Sequence, residues 1–293
     1  MKNVLIILFS VLSLTSCKNR NVDDAKKTKS ETPMNFNQEQ TYYKIKLSSS
    51  LPYKLLLNDL IIDEDNGEEG GAVETNLFAN NLILNSGIQH LKIVLFPKKD
   101  EDSITQRSLD YIKIALVKLN LIDSKDSELI KEFNIKNANS GSGNSYQWEF
   151  ISVIPYKING WSNSVNLIKQ DQKELLKEVI EFYKKTYDVL NSGDSSKFLD
   201  MVSKRNEETA IAFYNNPGVL QEKEELAQRV KEAKGKMNPL QDFTIKFYGN
   251  GRIVTLENKN GDSPLYYSTE DYDDFFSIQL HRPKDGEPLE IIR

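Results

Sequence analysis

Five sets of side chains in this 293-residue sequence have types and spacings that chemistry can use. The densest acid cluster is Asp63-Glu64-Asp65-Asn66-Gly67-Glu68-Glu69, with carboxylates around a glycine. A hard cation such as calcium draws its oxygens from a tightly turned chain of this kind. The register departs from a helix-loop-helix calcium site, because Gly67 is fifth from Asp63, not sixth, and Glu74 in twelfth place lacks flanking helical patterns. A solvated loop between strands is the simpler expectation. Glu270, Asp271, Asp273 and Asp274 form a second cluster, just ahead of an apolar strand pattern from Phe275 to Leu280. Two such carboxylates can divide base and acid roles when burial and mutual repulsion drive their pKa values apart. Consecutive acids in a connection are more often solvated, and Asp273 is the candidate kept. His281 follows that strand and has the basicity of a proton shuttle, yet alternation with Leu280 turns it to water if the leucine is buried. Tyr183, Tyr187, Tyr248 and Tyr266, with Tyr267 and Tyr272, can line a pocket or fill it. The fifth set is a single residue, Cys17.

None of these completes a catalytic set. The sequence has no G-x-S-x-G, no P-loop and no G-x-G-x-x-G, and Gly249-Asn250-Gly251 sits in a hairpin pattern, not ahead of a helix. Only two histidines, His90 and His281, and one cysteine are available, which excludes an internal disulfide and a His/Cys metal cluster. No catalytic residue, metal or cofactor is therefore assigned. Lys plus Arg is 38 against 43 Asp plus Glu, a net charge of −5, and the basic residues are scattered. A nucleic-acid partner calls for a basic stripe that releases counterions from phosphate, so nucleic acid is not expected.

The elements that must position these residues begin with a leader. Residues 1–16 carry one lysine and an apolar run from Val4 to Leu14 broken only by serines. That run is too short for a membrane span, which needs about 20 residues, and suits a signal-peptide core. Leu14-Thr15-Ser16-Cys17 resembles the bacterial lipobox, and the resemblance implies a lipoprotein whose Cys17 is lipidated and becomes the mature N-terminus. Several acyl chains, at about 0.8 kcal/mol per buried methylene, hold a soluble body at a membrane. Residues 17–40 contain almost nothing to bury and read as a disordered tether. Lys18 is not the aspartate of the inner-membrane retention rule, which favours the outer membrane of the cell envelope.

Beyond the tether, 39% hydrophobic residues and the chain length suffice for two cores. From 41 to 158 the period is two: Tyr43, Ile45 and Leu47; Leu91, Ile93 and Leu95; Tyr146, Trp148 and Phe150. Further strands at 53–57, 60–63, 111–119 and 128–135, with turns at Asn58-Asp59 and Ser86-Gly87, make about seven, uninterrupted by any helical stripe. This half is expected to be an antiparallel all-β sandwich, immunoglobulin-like in size. Trp161 is expected at the domain joint as a packing residue.

From 162 to 293 the expectation is an α+β domain of three helices and a curved antiparallel sheet. Asp171 with Glu174 opens the first helix, whose apolar face runs Leu175, Leu176, Val179, Ile180, Tyr183, Tyr187 and Leu190 before Gly193 closes it. The second covers about 195–214, with Arg205 and Glu208 as a surface pair. Asn216-Pro217 starts the third, which ends near Gly235. Strands follow at 243–248, 252–257, 265–267, 275–280 and 289–292. Helices followed by such a sheet resemble the cone of the nuclear transport factor 2 and ketosteroid isomerase superfamily. The stretches KLLLNDLIIDED, LNSGIQHLKIVLFPK, INGWSNSVNL and FYGNGRIVTLEN are similar to those of uncharacterised exported bacterial proteins that pair a β-sandwich with such a cone. That resemblance implies architecture and no activity.

An anchor, a tether and two small domains without a catalytic set lead to a non-enzymatic binding protein, with the membrane and a protein as partners, toxin immunity being one form. The rival reading is binding or conversion of a small molecule inside the cone, which requires a hollow interior.

Overall fold

Side chains that alternate between two environments make strands wherever one face is covered, and most of the first half of the described chain does this. The computed structural model describes residues 40–67, 71–99, 101–120, 127–135, 139–140 and 144–293. Cys17, the expected signal peptide and the expected tether up to residue 39 lie outside the described residues. The elements before residue 158 are β1 (Thr41–Ser49), β2 (Tyr53–Leu57), β3 (Leu60–Asp65), β4 (Val73–Phe78), β5 (Gly87–Leu95), α1 (Gln106–Asp110), β6 (Lys113–Asn120), β7 (Ser127–Phe133), β8 (Asn139–Ser140) and β9 (Ser145–Ser152). They form two antiparallel sheets, ordered β4-β1-β6-β7 and β3-β2-β5-β9-β8. Ile45, Leu47 and Leu116 from one sheet and Leu55, Leu57, Leu91 and Ile93 from the other belong to a single buried cluster.

Asn58 and Asp59 both have positive φ, 52° and 64°, and join β2 to β3 as a two-residue hairpin turn. Two features of this half depart from the sequence expectation. β4 pairs with β1 along a stretch, VETNLF, whose polar content hides its alternation; it is an edge strand, and its in-facing Val73, Thr75 and Leu77 are only half-buried. The five-residue α1 interrupts the strands, capped by the Thr105 hydroxyl, which accepts from Ser108 N at 3.2 Å.

The helices α2 (Gln172–Ser192), α3 (Ser195–Met201), α4 (Ser203–Ala212) and α5 (Pro217–Glu232) come next. Asp171 caps α2 through Lys173 N and Glu174 N at 2.9 and 3.0 Å, and Gly193 ends it at φ 73°. Asn216 caps α5 at Gly218 N, 2.9 Å, with Pro217 in the first turn. The single helix expected over 195–214 is two helices, so four follow residue 162 instead of three. The chain breaks at Val202 because its two halves serve different cores. Phe198 and Val202 pack with α2 and with residues 254–291 of the C-terminal part, whereas Ala212 and Tyr214 pack with the strands of the first half.

The strands that complete the chain are β10 (Thr244–Tyr248), β11 (Ile253–Glu257), β12 (Tyr266–Ser268), β13 (Asp273–Phe275), β14 (Leu280–His281) and β15 (Glu290–Ile291). They form antiparallel sheets β10-β11-β14-β15 and β12-β13. The strand expected over 275–280 is thereby split between β13 and β14. Antiparallel sheets and five α-helices make the described chain an α+β fold.

Candidate functional site

The interior beneath α2 is filled. Tyr183 is fully buried, and its hydroxyl meets Thr255 Oγ1 at 2.8 Å, donates to Ile278 O at 2.9 Å and accepts from Leu256 N at 3.0 Å. Burial pushes the Tyr183 hydroxyl up to about 12. Phe198, Tyr267 and Phe276 join aliphatic side chains such as Leu175, Val179 and Leu256 in that core.

The other sequence candidates do not gather around Tyr183. Tyr187 donates to Met237 O at 3.2 Å, and Tyr266 stacks on Phe275 with ring centres 5.2 Å apart. Asp273 is exposed. Its neighbour Asp274 is paired instead, taking Arg229 Nε at 3.0 Å and a second contact from Nη2. Tyr248 belongs to the first buried cluster and donates to the buried Glu257 at 2.8 Å. Burial raises both groups; Glu257 as acceptor also raises the tyrosine, and the tyrosine proton partly offsets the rise at Glu257.

His281 is buried, contrary to the expectation that alternation turns it to water. β14 lies between β11 and β15, so Leu280 faces the core beneath α2, while the chain from Trp161 to Val165 lies beside the histidine. Val165 N donates to Arg282 O at 2.9 Å, and Ser164 Oγ meets His281 Nδ1 at 2.6 Å. On the other side of the ring Nε2 meets Glu290 Oε1 at 2.8 Å, and Lys204 also pairs with Glu290. Burial lowers the His281 pKa, with Glu290 opposing. Burial pushes Glu290 up, but Lys204 and His281 outweigh it and hold the carboxylate below its usual range. A serine, a histidine and a carboxylate in line resemble a hydrolytic relay, but Ser164 is only 7% exposed, so no open face brings a substrate to its oxygen.

Trp161 is buried among residues from both parts of the chain, including Leu84, Tyr248 and Ile253. Gly249 has φ 59°, and a Cβ there would come within 2.8 Å of the indole, so only glycine fits. The expected Arg205–Glu208 pair is not formed. Glu208 instead takes Arg293 Nη1 at 2.8 Å and Gly160 N at 3.1 Å. Lys54 pairs with Glu64 at 2.9 Å, Tyr53 donates to Asp63 at 2.5 Å and Asp65 accepts from Gly67 N. The first three acids of that expected loop are therefore on strand β3; Glu68 and Glu69 lie outside the described residues.

Arg205, released from Glu208, borders an open groove of about 820 Å³ between α3, α4, α5 and the Phe275–Ser277 segment. Leu199, Val219, Leu220, Leu226 and Phe275 supply its apolar walls, and Leu220 is 66% exposed. The nearest acceptors of Arg205 are at the edge of hydrogen-bond range, Asn206 Oδ1 at 3.4 Å and Ser277 O at 3.5 Å. No carboxylate lies within ion-pair distance of it among the described residues. Burial, with Arg293 and Arg229 nearby, pushes the Arg205 guanidinium down to about 10, still charged at neutral pH. Asn206 also borders the groove, and its buried Nδ2 has no hydrogen-bond partner. Sequence reasoning missed this site because the three-residue spacing of Arg205 and Glu208 suggested a local pair, and a competing partner 85 residues away leaves no local signal.

Comparison with protein-family models, curated proteins and solved structures finds no match for the chain.

Proposed function

We propose that this protein is a non-enzymatic binding protein of the bacterial envelope, held at the outer membrane by a lipid on Cys17 and extended from it by the tether at 17–40. Residues 41–158 then form an immunoglobulin-like sandwich and residues 162–293 an α+β domain of the nuclear transport factor 2 type, with Trp161 at the joint. The observation that carries the binding reading is the contrast within the C-terminal part. Its interior is packed with aromatic side chains whose central hydroxyl, on Tyr183, is fully hydrogen-bonded, whereas the groove at Arg205 is open, apolar-walled and supplied with an unpaired charge. Recognition sites have this composition, a few directed polar groups within apolar walls. Conversion of a small molecule inside the domain is less well supported, because a filled core offers a substrate no volume.

Photo-crosslinking in cells tests the reading. A photoreactive residue at Leu220 is expected to trap a discrete partner, and the same residue at exposed Tyr111, on the opposite part of the chain, is not. Equal labelling from both positions, or none from 220, would remove the groove as the face that meets a protein partner.

A further inference from the structure

The composition of the groove defines what it can hold. Two of its cations, Arg205 and the exposed Lys223, have no carboxylate partner among the described residues, and of the two Arg205 has the planar guanidinium whose fork of donors matches a carboxylate. Arg229 is already engaged by Asp274. The rim carries Asp200, Glu207, Glu222 and Glu225 against Lys223, so the surroundings repel anything bearing several negative charges. The lining also includes Leu199, Val219, Leu220, Leu226 and Phe275, which can contact an apolar body. A volume of about 820 Å³ falls within the range of small-molecule sites. Ser203, the first residue of α4, also borders the groove.

We propose that the Arg205 groove binds a small monocarboxylate carried on an apolar body, with Arg205 taking the carboxylate and the α5 leucines and Phe275 taking the body. This rests on the groove being the binding face. A single negative charge satisfies Arg205, and a second meets a rim of four carboxylates against one lysine. Asn206 Nδ2, buried beside Arg205 without an acceptor, is a further donor that a carboxylate oxygen reaches after a side-chain rotation.

Calorimetric titration of the full chain with three probes of one shape tests this. Phenylbutanoate carries one negative charge, phenylbutanamide none and phenylbutylphosphonate close to two at neutral pH. Phenylbutanoate is expected to bind about tenfold or more tighter than the amide, as a charge-assisted pair requires, and no weaker than the phosphonate. Arg205→Gln is expected to reduce phenylbutanoate to the level of the amide, with the melting temperature showing that the variant is folded. Lys231→Gln, exposed on α5 and not among the groove-lining residues, is expected to leave the carboxylate within about twofold. Equal binding of acid and amide, retention of acid binding in Arg205→Gln, or a phosphonate that binds much more tightly than the acid each overturns the assignment. If phenylbutanoate does not bind while Leu220 still crosslinks a partner, the carboxylate assignment falls and the binding face stands. If phenylbutanoate binds through Arg205 while no partner is trapped at 220, the carboxylate site stands and the partner reading falls.

Discussion

The guanidinium carbon of Arg293, the last residue of the chain, lies 4.9 Å from the ring centre of Trp161. Glu208 on α4 takes the same guanidinium at 2.8 Å, and Arg293 Nη2 donates to Asn81 O at 3.1 Å. One side chain thus joins the C-terminus, the second half of the broken helix, the tryptophan and the segment after β4. A cation over an indole face that is also ion-paired out of water is held in place by geometry as well as charge.

Removing one member of this arrangement leaves a buried charge without a partner. The Glu208 and Arg293 side chains are 11% and 8% exposed, so Glu208→Ala is expected to cost about 3–5 kcal/mol in urea unfolding. The double change Glu208→Met with Arg293→Met should cost less than Glu208→Ala alone, because no charge is stranded. A double variant as unstable as the single one would show that the packing of the two stems dominates.

Stability is expected to change with pH through two buried groups, for opposite reasons. Burial lowers the folded His281 pKa, so the unfolded chain binds more protons below its ordinary value of 6.5, and stability falls as pH drops through that value towards the folded one. Burial raises the Glu257 pKa, so the unfolded chain loses its proton first, and stability falls as pH rises from 4.5 through the folded value. Urea midpoints from pH 4 to 8 should therefore lose their acid slope below 6.5 in His281→Gln and their decline above 4.5 in Glu257→Gln. Unchanged profiles would mean that these groups are solvated.

Adjacent aspartates should respond unequally. Asp273→Asn, at an exposed position, is expected to shift stability by less than about 0.5 kcal/mol. Asp274→Asn weakens the contacts to Arg229, and with Arg229 41% exposed the expected loss is about 1–2 kcal/mol, the low end for hydrogen bonds to a charged group. Equal losses from chemical denaturation would contradict the pairing.

Cys17→Ser is expected to abolish lipidation and leave the protein unprocessed or released from membranes, because the thiol is the acyl acceptor in the proposed lipoprotein. Among the described residues no helix is long and apolar enough to cross a membrane. Fractionation in which the variant still sediments with membranes as the parent does would require another anchor.

Local rules made much of this chain legible in advance. Asp171 and Gly193 marked the ends of α2, Asn216-Pro217 marked the start of α5, and Asn58-Asp59 marked a hairpin, because capping and turn chemistry act within about four residues. Alternation likewise revealed β1, β5 and β9, whose in-facing residues are large and apolar. β4 escaped because an edge strand needs little apolar content, and the break at Val202 escaped because nothing in the helical period records that its two sides serve different cores. The burial of His281 depended on a segment more than a hundred residues earlier covering the second face of β14. The candidate site was hidden for the same reason. Glu208 has two helical neighbours of opposite charge in sequence, Lys204 and Arg205, and a third candidate in Arg293; the tertiary fold gives Glu208 to Arg293 and Lys204 to Glu290, desolvating the first pair and leaving Arg205 without a carboxylate. Burial and pairing are decided by which distant surfaces exclude water together, and that is a property of the packed chain, not of any window along it.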